Sequence, residues 1–345
     1  MANEFTRNLY RFSQAARVAW FGSHHVVANR LGRGTAFAEG GVKVESDYPD
    51  RRLFFAEMQK LFERDWKNIE DGLYAAPAAI DRSAFTAFYD SLDFLRDVPE
   101  VARRRRDQVH DEVKAEEPRQ GFPDYYMQNF HFQTGGWLSD ESARRYDFQV
   151  ETLFAGTADA MRRQALVPIA AFLKRKDQRK LSLLDVATGT GRFLAGVKDN
   201  WPRLAVTALD LSPEYLARAR KELKAWRDVR FLEANAEAMP VLNASQDIVT
   251  CIYLFHELPP EIRQRVAREI ARVLKPGGLF VLVDSIQPGD TPGFEALTEF
   301  FPQAFHEPYY ESYLTWDIPH AFAMAGLKPE SSTPAFLSKV VVFRK

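Results

Sequence analysis

Residues 181–192 read LSLLDVATGTGR, and few folds accommodate such a stretch. An apolar run ends in Asp185, a glycine turn follows at once, and residues 193–197 (FLAGV) resume an apolar pattern of helical type. Strand, acid, glycine turn and helix together describe a nucleotide-binding βα unit. Glycine lets the backbone turn sharply and approach a ligand closely. The first N–H groups of the helix then face that ligand.

The units that follow repeat the alternation. Strands are expected at 181–187, 204–209, 229–233, 247–253, 278–284, about 328–333 and 338–344, with helices in most gaps. This pattern belongs to an α/β fold, a parallel sheet covered on both faces. A link around Pro334 and Ala335 makes the last two strands a hairpin, so one of them runs antiparallel. Pro276, Gly277 and Gly278 mark a turn before the fifth strand. Ser139 or Asp140 caps a helix whose apolar pattern runs to Ala165, with Pro168 breaking or kinking it before a further helix over 169–174.

The chain has 345 residues, more than one typical domain needs, and its first part is of another kind. Residues 50–115 carry two apolar stripes of helical spacing, the second with Asp81 or Ser83 as N-cap. The basic run 103–106 is followed closely by acids, which reads as a solvated helix face. Residues 5–38 hold five arginines and no acid. Phe5, Leu9, Phe12, Ala16 and Trp20 recur at near-helical spacing. Such a helix packs on the domain, lies on an anionic membrane or, being Arg-rich and acid-poor, belongs to an organelle transit peptide, so residues 4–21 are a candidate peripheral contact. A net charge of −1 gives no whole-chain pull toward nucleic acid. Cys251 is the sole cysteine, which excludes a disulfide framework or a cysteine-rich metal site and fits a reducing, cytoplasmic setting. No apolar run approaches the ~20 residues of a spanning helix.

Four features fall at the ends of successive strands, where open α/β sheets bind ligands. After the opening turn comes Asp210, ending AVTALD and suited to accept hydrogen bonds from ribose hydroxyls. Asn235 and Ala236 follow the third strand, where an amide oxygen and a backbone N–H suit an adenine edge. Tyr253, His256 and Glu257 follow the fourth.

Taken together, LLDVATGTG, ALDLS, NAEAMP, DIVTCIYLFHELP and ARVLKPGGLFVLVD resemble the ordered motifs of class I S-adenosylmethionine-dependent methyltransferases. The resemblance is greatest to the ubiquinone/menaquinone-biosynthesis C-methyltransferase branch, and it covers residues 146–345. It implies a Rossmann-like seven-stranded sheet of order 3-2-1-4-5-7-6 with helices on both faces. It also implies S-adenosyl-L-methionine as methyl donor and S-adenosyl-L-homocysteine as product. By position, Asp185, Ala187, Thr188, Gly189 and Gly191 would surround the methionine part. Asp210 would hold the ribose, Leu211 would pack on the adenine, Asn235 and Ala236 would bind its edge, and Tyr253 would complete the site. Ala187 replaces the usual first glycine, Asn235 stands where an Asp is usual, and Gln246 where an aromatic is common. A dinucleotide site would want a third glycine where Leu194 stands, which argues against NAD.

A sulfonium methyl is already activated, so the protein's main task is to align nucleophile, carbon and sulfur and to exclude water. A base is needed where the nucleophile is protonated. His256 is the first candidate, Glu257 the second and His131 the third; no metal is expected. Five of the fourteen residues 124–137, DYYMQNFHFQTGGW, are Tyr, Phe or Trp, and residues 290–317 form a second aromatic insertion. Tyr126, Phe130, Gln133, Trp137, His306, Tyr309, Tyr310 and Tyr313 are therefore the candidate acceptor contacts. The expected layout is a helical N-terminal domain (1–123), an aromatic lid segment (124–145) and the methyltransferase domain (146–345). The expected activity is methyl transfer to a small aromatic or lipophilic acceptor. The rival is a protein methyltransferase, or a non-catalytic cofactor-binding module whose N-terminal domain docks a partner. A homodimer is left open.

Overall fold

The computed structural model describes residues 4–31, 44–77, 84–116 and 121–345. The expected caps Asp81 and Ser83 lie outside these. Four helices come first: α1 (Glu4–Leu31), α2 (Arg51–Glu70), α3 (Ala84–Asp107) and α4 (Glu112–Glu116). Then come α5 (Asp140–Leu153), α6 (Ala158–Arg163) and α7 (Leu166–Leu173). The expected single helix through Ala165 is thus interrupted. Ala155 and Gly156 take φ of 49° and 81°, a left-handed turn that ends α5. Pro168 sits in the first turn of α7, where its missing N–H costs no helical bond.

The alternating part runs β1 (Ser182–Val186), α8 (Arg192–Asn200), β2 (Ala205–Asp210), α9 (Pro213–Glu222), β3 (Val229–Glu233) and β4 (Gln246–Ile252). It continues with α10 (Pro260–Val273), β5 (Leu274–Ser285), α11 (Glu295–Ala304), α12 (Tyr310–Leu314), α13 (Ile318–Met324), β6 (Lys328–Ala335) and β7 (Ser338–Arg344). The strands form one seven-stranded sheet of order β3-β2-β1-β4-β5-β7-β6. Strand β7 runs antiparallel to both neighbours. The Pro276-Gly277-Gly278 turn is absorbed into β5: its pairing with β4 jumps from Gln246↔Leu274 to Ile248↔Leu279, so the loop bulges out of the ladder.

Both sheet faces are covered, which is why β1, β4 and β5 read as near-continuous apolar runs. On one face Val249, Cys251 and Phe280 pack against Ile262, Val266 and Ile270 of α10, and Phe322 of α13 joins them. On the other, Leu183, Ile248 and Val281 meet Ile169 of α7 and Leu194 and Val197 of α8. Each such side chain contributes about 1.5–3 kcal/mol on burial.

The N-terminal helices extend this core. Tyr10, Trp66 and Ile69 join the second face, while Met58 and Leu61 pack with Met161, Phe294 and Phe336. Buried Asp65 pins them by accepting from Tyr10 Oη at 2.5 Å, Tyr74 Oη at 2.7 Å and Arg163 Nη2 at 2.5 Å. Two neutral donors and one guanidinium offset the cost of burying that carboxylate. A hydrogen bond of 2.6 Å between His24 Nε2 and Ser91 Oγ ties α1 to α3.

Candidate active site

Asp185 ends β1 beneath the glycine turn. It accepts from Thr188 Oγ1 at 2.8 Å and Thr250 Oγ1 at 2.6 Å. Burial pushes its carboxyl up to about 7 against those two bonds. Ala187, Gly189 and Gly191 all take positive φ. A Cβ on Gly189 would meet nothing within 4 Å, whereas one on Gly191 would press on Ala219 Cβ at 3.1 Å. Gly189 thus opens onto a cleft, while Gly191 lets α8 approach α9.

Asp210 ends β2 and accepts from Gly189 N at 2.7 Å and Ser212 N at 2.9 Å. Burial still lifts it to about 6. Asn235 Oδ1 accepts from Glu237 N at 2.9 Å, closing a turn. That uses one of its two lone pairs, so adenine recognition there depends on the other and on the backbone of Ala236.

The cleft is lined by Ala187, Gly189, Asp210, Leu211, Asn235, Ala236 and Tyr253, with Tyr125, Tyr126, Trp137, Tyr146 and Glu257 closing it. Asp185 and Gly191 support the turn from behind. The indole N–H of Trp137 is buried and finds no hydrogen-bond partner among the described residues. Such an orphan donor is costly unless a ligand oxygen meets it. An open glycine cradle, a strand-end carboxylate and this donor fit a nucleoside–amino-acid cofactor such as S-adenosylmethionine.

A second cavity of about 660 Å³ adjoins the cleft. Trp137, Tyr146 and Tyr253 line both. The cavity passes His131, Gln133, His256, Ser285 and Tyr310 near that shared wall, then runs between α1, α3, α5 and α11. There Gly22, Ala28, Val98, Val101, Ala102 and Leu153 line it. Its lining is mostly apolar, with polar side chains both at the end that meets the cleft and beyond it, His25, Asn29, Asp97, Arg105 and Gln149 among them. Tyr253 holds φ of 59°, a strained state for a bulky residue that concentrates at functional sites.

The turn after β4 delivers His256. Its Nδ1 pairs with Asp284 Oδ1 at 2.5 Å, and Asp284 also accepts from Phe255 N at 2.9 Å. Burial disfavours the imidazolium, but Asp284 outweighs it and holds His256 near 9. With Nδ1 engaged by Asp284, Nε2 is the ring nitrogen left to meet another group. It lies 3.8 Å from Glu257 Oε1.

His131, at φ 55°, approaches the same carboxylate from the other side, its Nε2 3.9 Å from Glu257 Oε1 and 2.7 Å from Glu307 Oε1. Burial opposes its charge, yet the two carboxylates raise the ring to about 10. The three candidate catalytic residues therefore converge. Two partners escaped the sequence reading. Asp284 carried a usable signal, since it ends β5 as Asp185 and Asp210 end β1 and β2. Glu307, within an aromatic insertion, carried none.

The acceptor candidates divide. Tyr126 faces the cleft; Gln133 and Tyr310 face the cavity; Trp137 faces both. The remaining four do not line either space. Phe130 is buried behind Trp137. His306 stacks on His110 at 4.0 Å and pairs with Gln128 at 2.6 Å. Tyr309 offers its carbonyl to Arg263. Tyr313 is buried and donates its hydroxyl to Ser285 O at 2.6 Å. These four brace the walls, because aromatic bulk alone does not say which ring faces inward. Phe301 and Phe305 of the same insertion line the cavity instead.

Residues 183–278 match a family described as a methyltransferase domain. A demethylmenaquinone methyltransferase of Deinococcus radiodurans is 35% identical over 147 residues, covering 42% of this chain and 58% of that one. Another from Thermus thermophilus is 36% identical over 152 residues, covering 44% and 66%. The chain thus spans about three-fifths of the length of these relatives. A ubiquinone/menaquinone biosynthesis C-methyltransferase of Methylobacterium nodulans is 30% identical over 192 residues, covering 55% of this chain and 69% of that one. Among solved structures, the CurJ carbon methyltransferase is 14% identical with a TM-score of 0.52 and covers 98% of this chain and 95% of that one. That likeness concerns the fold, and it takes in the N-terminal helices.

Proposed function

The chain belongs to the class I S-adenosylmethionine-dependent methyltransferases, and from that we propose that it methylates a small aromatic or lipophilic acceptor held in the second cavity. One observation carries the reading: cofactor cleft and cavity share the wall Trp137–Tyr146–Tyr253, with His256 beside it. The bound cofactor supplies an activated methyl on sulfur. The cleft holds it through Gly189, Asp210 and Ala236. The cavity holds the acceptor so that its nucleophilic atom faces the shared wall, and the aromatic lining excludes water.

In its neutral form, a fraction that grows toward pH 9, His256 takes through Nε2 the proton that the nucleophile loses, and Asp284 fixes the ring and stabilises its charge. Held in the cleft, the cofactor would give its methyl to the acceptor and keep the electron pair of the broken bond on sulfur, leaving as S-adenosylhomocysteine. A quinol or phenol is the acceptor class that suits a basic histidine in an aromatic enclosure, in keeping with the quinone-pathway names of the relatives. A cavity walled by Trp137, Phe301, Phe305 and Tyr310 favours such a molecule over a protein segment. Methylation at carbon or at oxygen is the finer alternative within this reading.

The outer face of α1 adds a membrane contact. Phe5, Phe12 and Trp20 are 75%, 73% and 41% exposed, while the inner face, with Gly22 and Ala28, lines the cavity. A lipophilic acceptor would then enter beside the helix that touches its reservoir.

The test is incubation of the full chain with isotope-labelled S-adenosylmethionine and quinols or phenols with and without an alkyl tail, read by mass spectrometry. A labelled methyl on a tailed acceptor is the expected result. Cofactor binding with no transfer to any of them, together with label on a protein, would favour the rival reading.

A further inference from the structure

Three side chains from distant parts of the chain meet at the junction of cleft and cavity. His131 comes from the aromatic segment, Glu257 from the turn after β4, and Glu307 from the insertion after α11. One ligand atom of each lies within 4.8 Å of the others. Glu257 lines the cofactor cleft and His131 the cavity, so the cluster stands between the two ligands.

Glu307 is the informative member. Its side chain is fully buried, and neither carboxylate oxygen receives a hydrogen bond among the described residues. Oε1 lies 2.7 Å from His131 Nε2, an ion pair when the ring is protonated, but the pair does not meet hydrogen-bond geometry. A metal ion at this point would take the place of that ring proton. A buried carboxylate left without donors costs several kcal/mol or takes a cation.

Two ligands at right angles on an ion with bonds of ~2.1 Å stand about 3 Å apart, and wider angles give close to 4 Å. The 3.9 Å separation falls in that range, and the 2.7 Å separation is about 0.3 Å short of it. The frame is fixed from outside. His131 N donates to His306 O at 3.2 Å, and His306 Nε2 pairs with Gln128 Oε1 at 2.6 Å. The two segments are therefore clamped beside the ligands, as supporting contacts of metal sites are.

We propose that His131, Glu257 and Glu307 bind a divalent first-row transition ion. One imidazole and two carboxylates suit Mn²⁺ or Zn²⁺. Three protein ligands leave positions open, and these face the junction. An acceptor hydroxyl or carbonyl oxygen ligates there, which selects oxygenated acceptors and turns the nucleophilic atom toward the cleft. The proposal goes beyond the methyltransferase reading, which stands without it.

The test uses the full chain, dialysed against chelator and titrated with MnCl₂ at pH 7.5. Bound ion is read from loss of the free Mn²⁺ electron paramagnetic resonance signal, with Zn²⁺ as competitor. One equivalent is expected to bind, displaced by Zn²⁺. Glu307→Gln and His131→Asn are each expected to weaken it at least tenfold while S-adenosylmethionine affinity, measured by calorimetry on the same samples, stays within twofold for Glu307→Gln. No stoichiometric Mn²⁺ binding by the wild-type chain, or binding that survives both substitutions, overturns the proposal. In that outcome a protonated His131 is the cation between the carboxylates. Loss of cofactor binding by the wild-type chain counts against the methyltransferase reading instead, so the two failures are separable.

Discussion

His256 Nδ1 lies 2.5 Å from Asp284 Oδ1, and Asp284 is wholly buried. This pair sets both the direction and the basicity of the histidine, because a carboxylate on one ring nitrogen leaves the other to face the cavity. His256→Ala should lower kcat by about 10²–10⁴-fold, the usual contribution of a positioned base. Cofactor affinity should change little. Asp284→Asn keeps the shape but removes the charge, so a smaller loss in kcat is expected at unchanged acceptor KM. Near-normal turnover in both variants would leave alignment alone as the mechanism.

Asp210 faces the cleft with a pKa lifted to about 6 by burial. As an anion it accepts hydrogen bonds; once protonated it loses acceptor capacity. S-adenosylmethionine affinity should therefore fall as pH drops through about 6. Asp210→Ala should weaken binding roughly tenfold or more, since charge-assisted hydrogen bonds contribute about 1.5–3 kcal/mol. Calorimetry at pH 5 and 8 checks both points. Equal wild-type affinity at the two pH values would show that Asp210 does not hold the ligand.

Asp185 gives a prediction about stability. Its folded pKa, about 7, is above its ordinary 3.8. A group raised in this way stabilises the fold below its unfolded pKa, and that contribution is lost as pH rises through the folded value. The difference corresponds to about 4 kcal/mol at most. Asp185→Asn should raise Tm by several degrees at pH 8 and by little near pH 4.5. A shift of the same size at both would mean that the hydrogen bonds from Thr188 and Thr250, rather than ionisation, decide the outcome.

The outer face of α1 predicts vesicle binding. Sedimentation with anionic phosphatidylglycerol vesicles should capture the chain, and added salt should release part of it, because exposed charges are screened over ~10 Å at 0.1 M. Substituting Phe5, Phe12 and Trp20 with Ser should abolish capture without lowering Tm, as all three are exposed. Capture that persists in this variant would move the contact elsewhere.

The cofactor half of the site was legible in the sequence because it is local. Asp185, the turn at 187–191 and the start of α8 are contiguous, and a parallel sheet brings the ends of β1, β2, β3 and β4 into one line. The sheet order was implied by the family resemblance that these motifs carry, and an antiparallel strand by the hairpin around Pro334 and Ala335. Smaller local features escaped: Gly156 ends α5 where the apolar pattern continues, and the Pro-Gly-Gly turn is swallowed by β5. The acceptor half belongs to the tertiary structure. Which aromatic faces the cavity depends on how the 124–137 segment packs against the insertion, so Trp137 and Tyr310 turn inward while Phe130 and Tyr313 do not. Spacing along the chain carries no record of that choice. Nor does it record that Glu307, with no motif around it, is buried against His131 at the meeting point of the two pockets. Helices, strands and their turns are written in short stretches of chain. The direction of a side chain in an irregular segment is decided only when distant segments compete for the same volume.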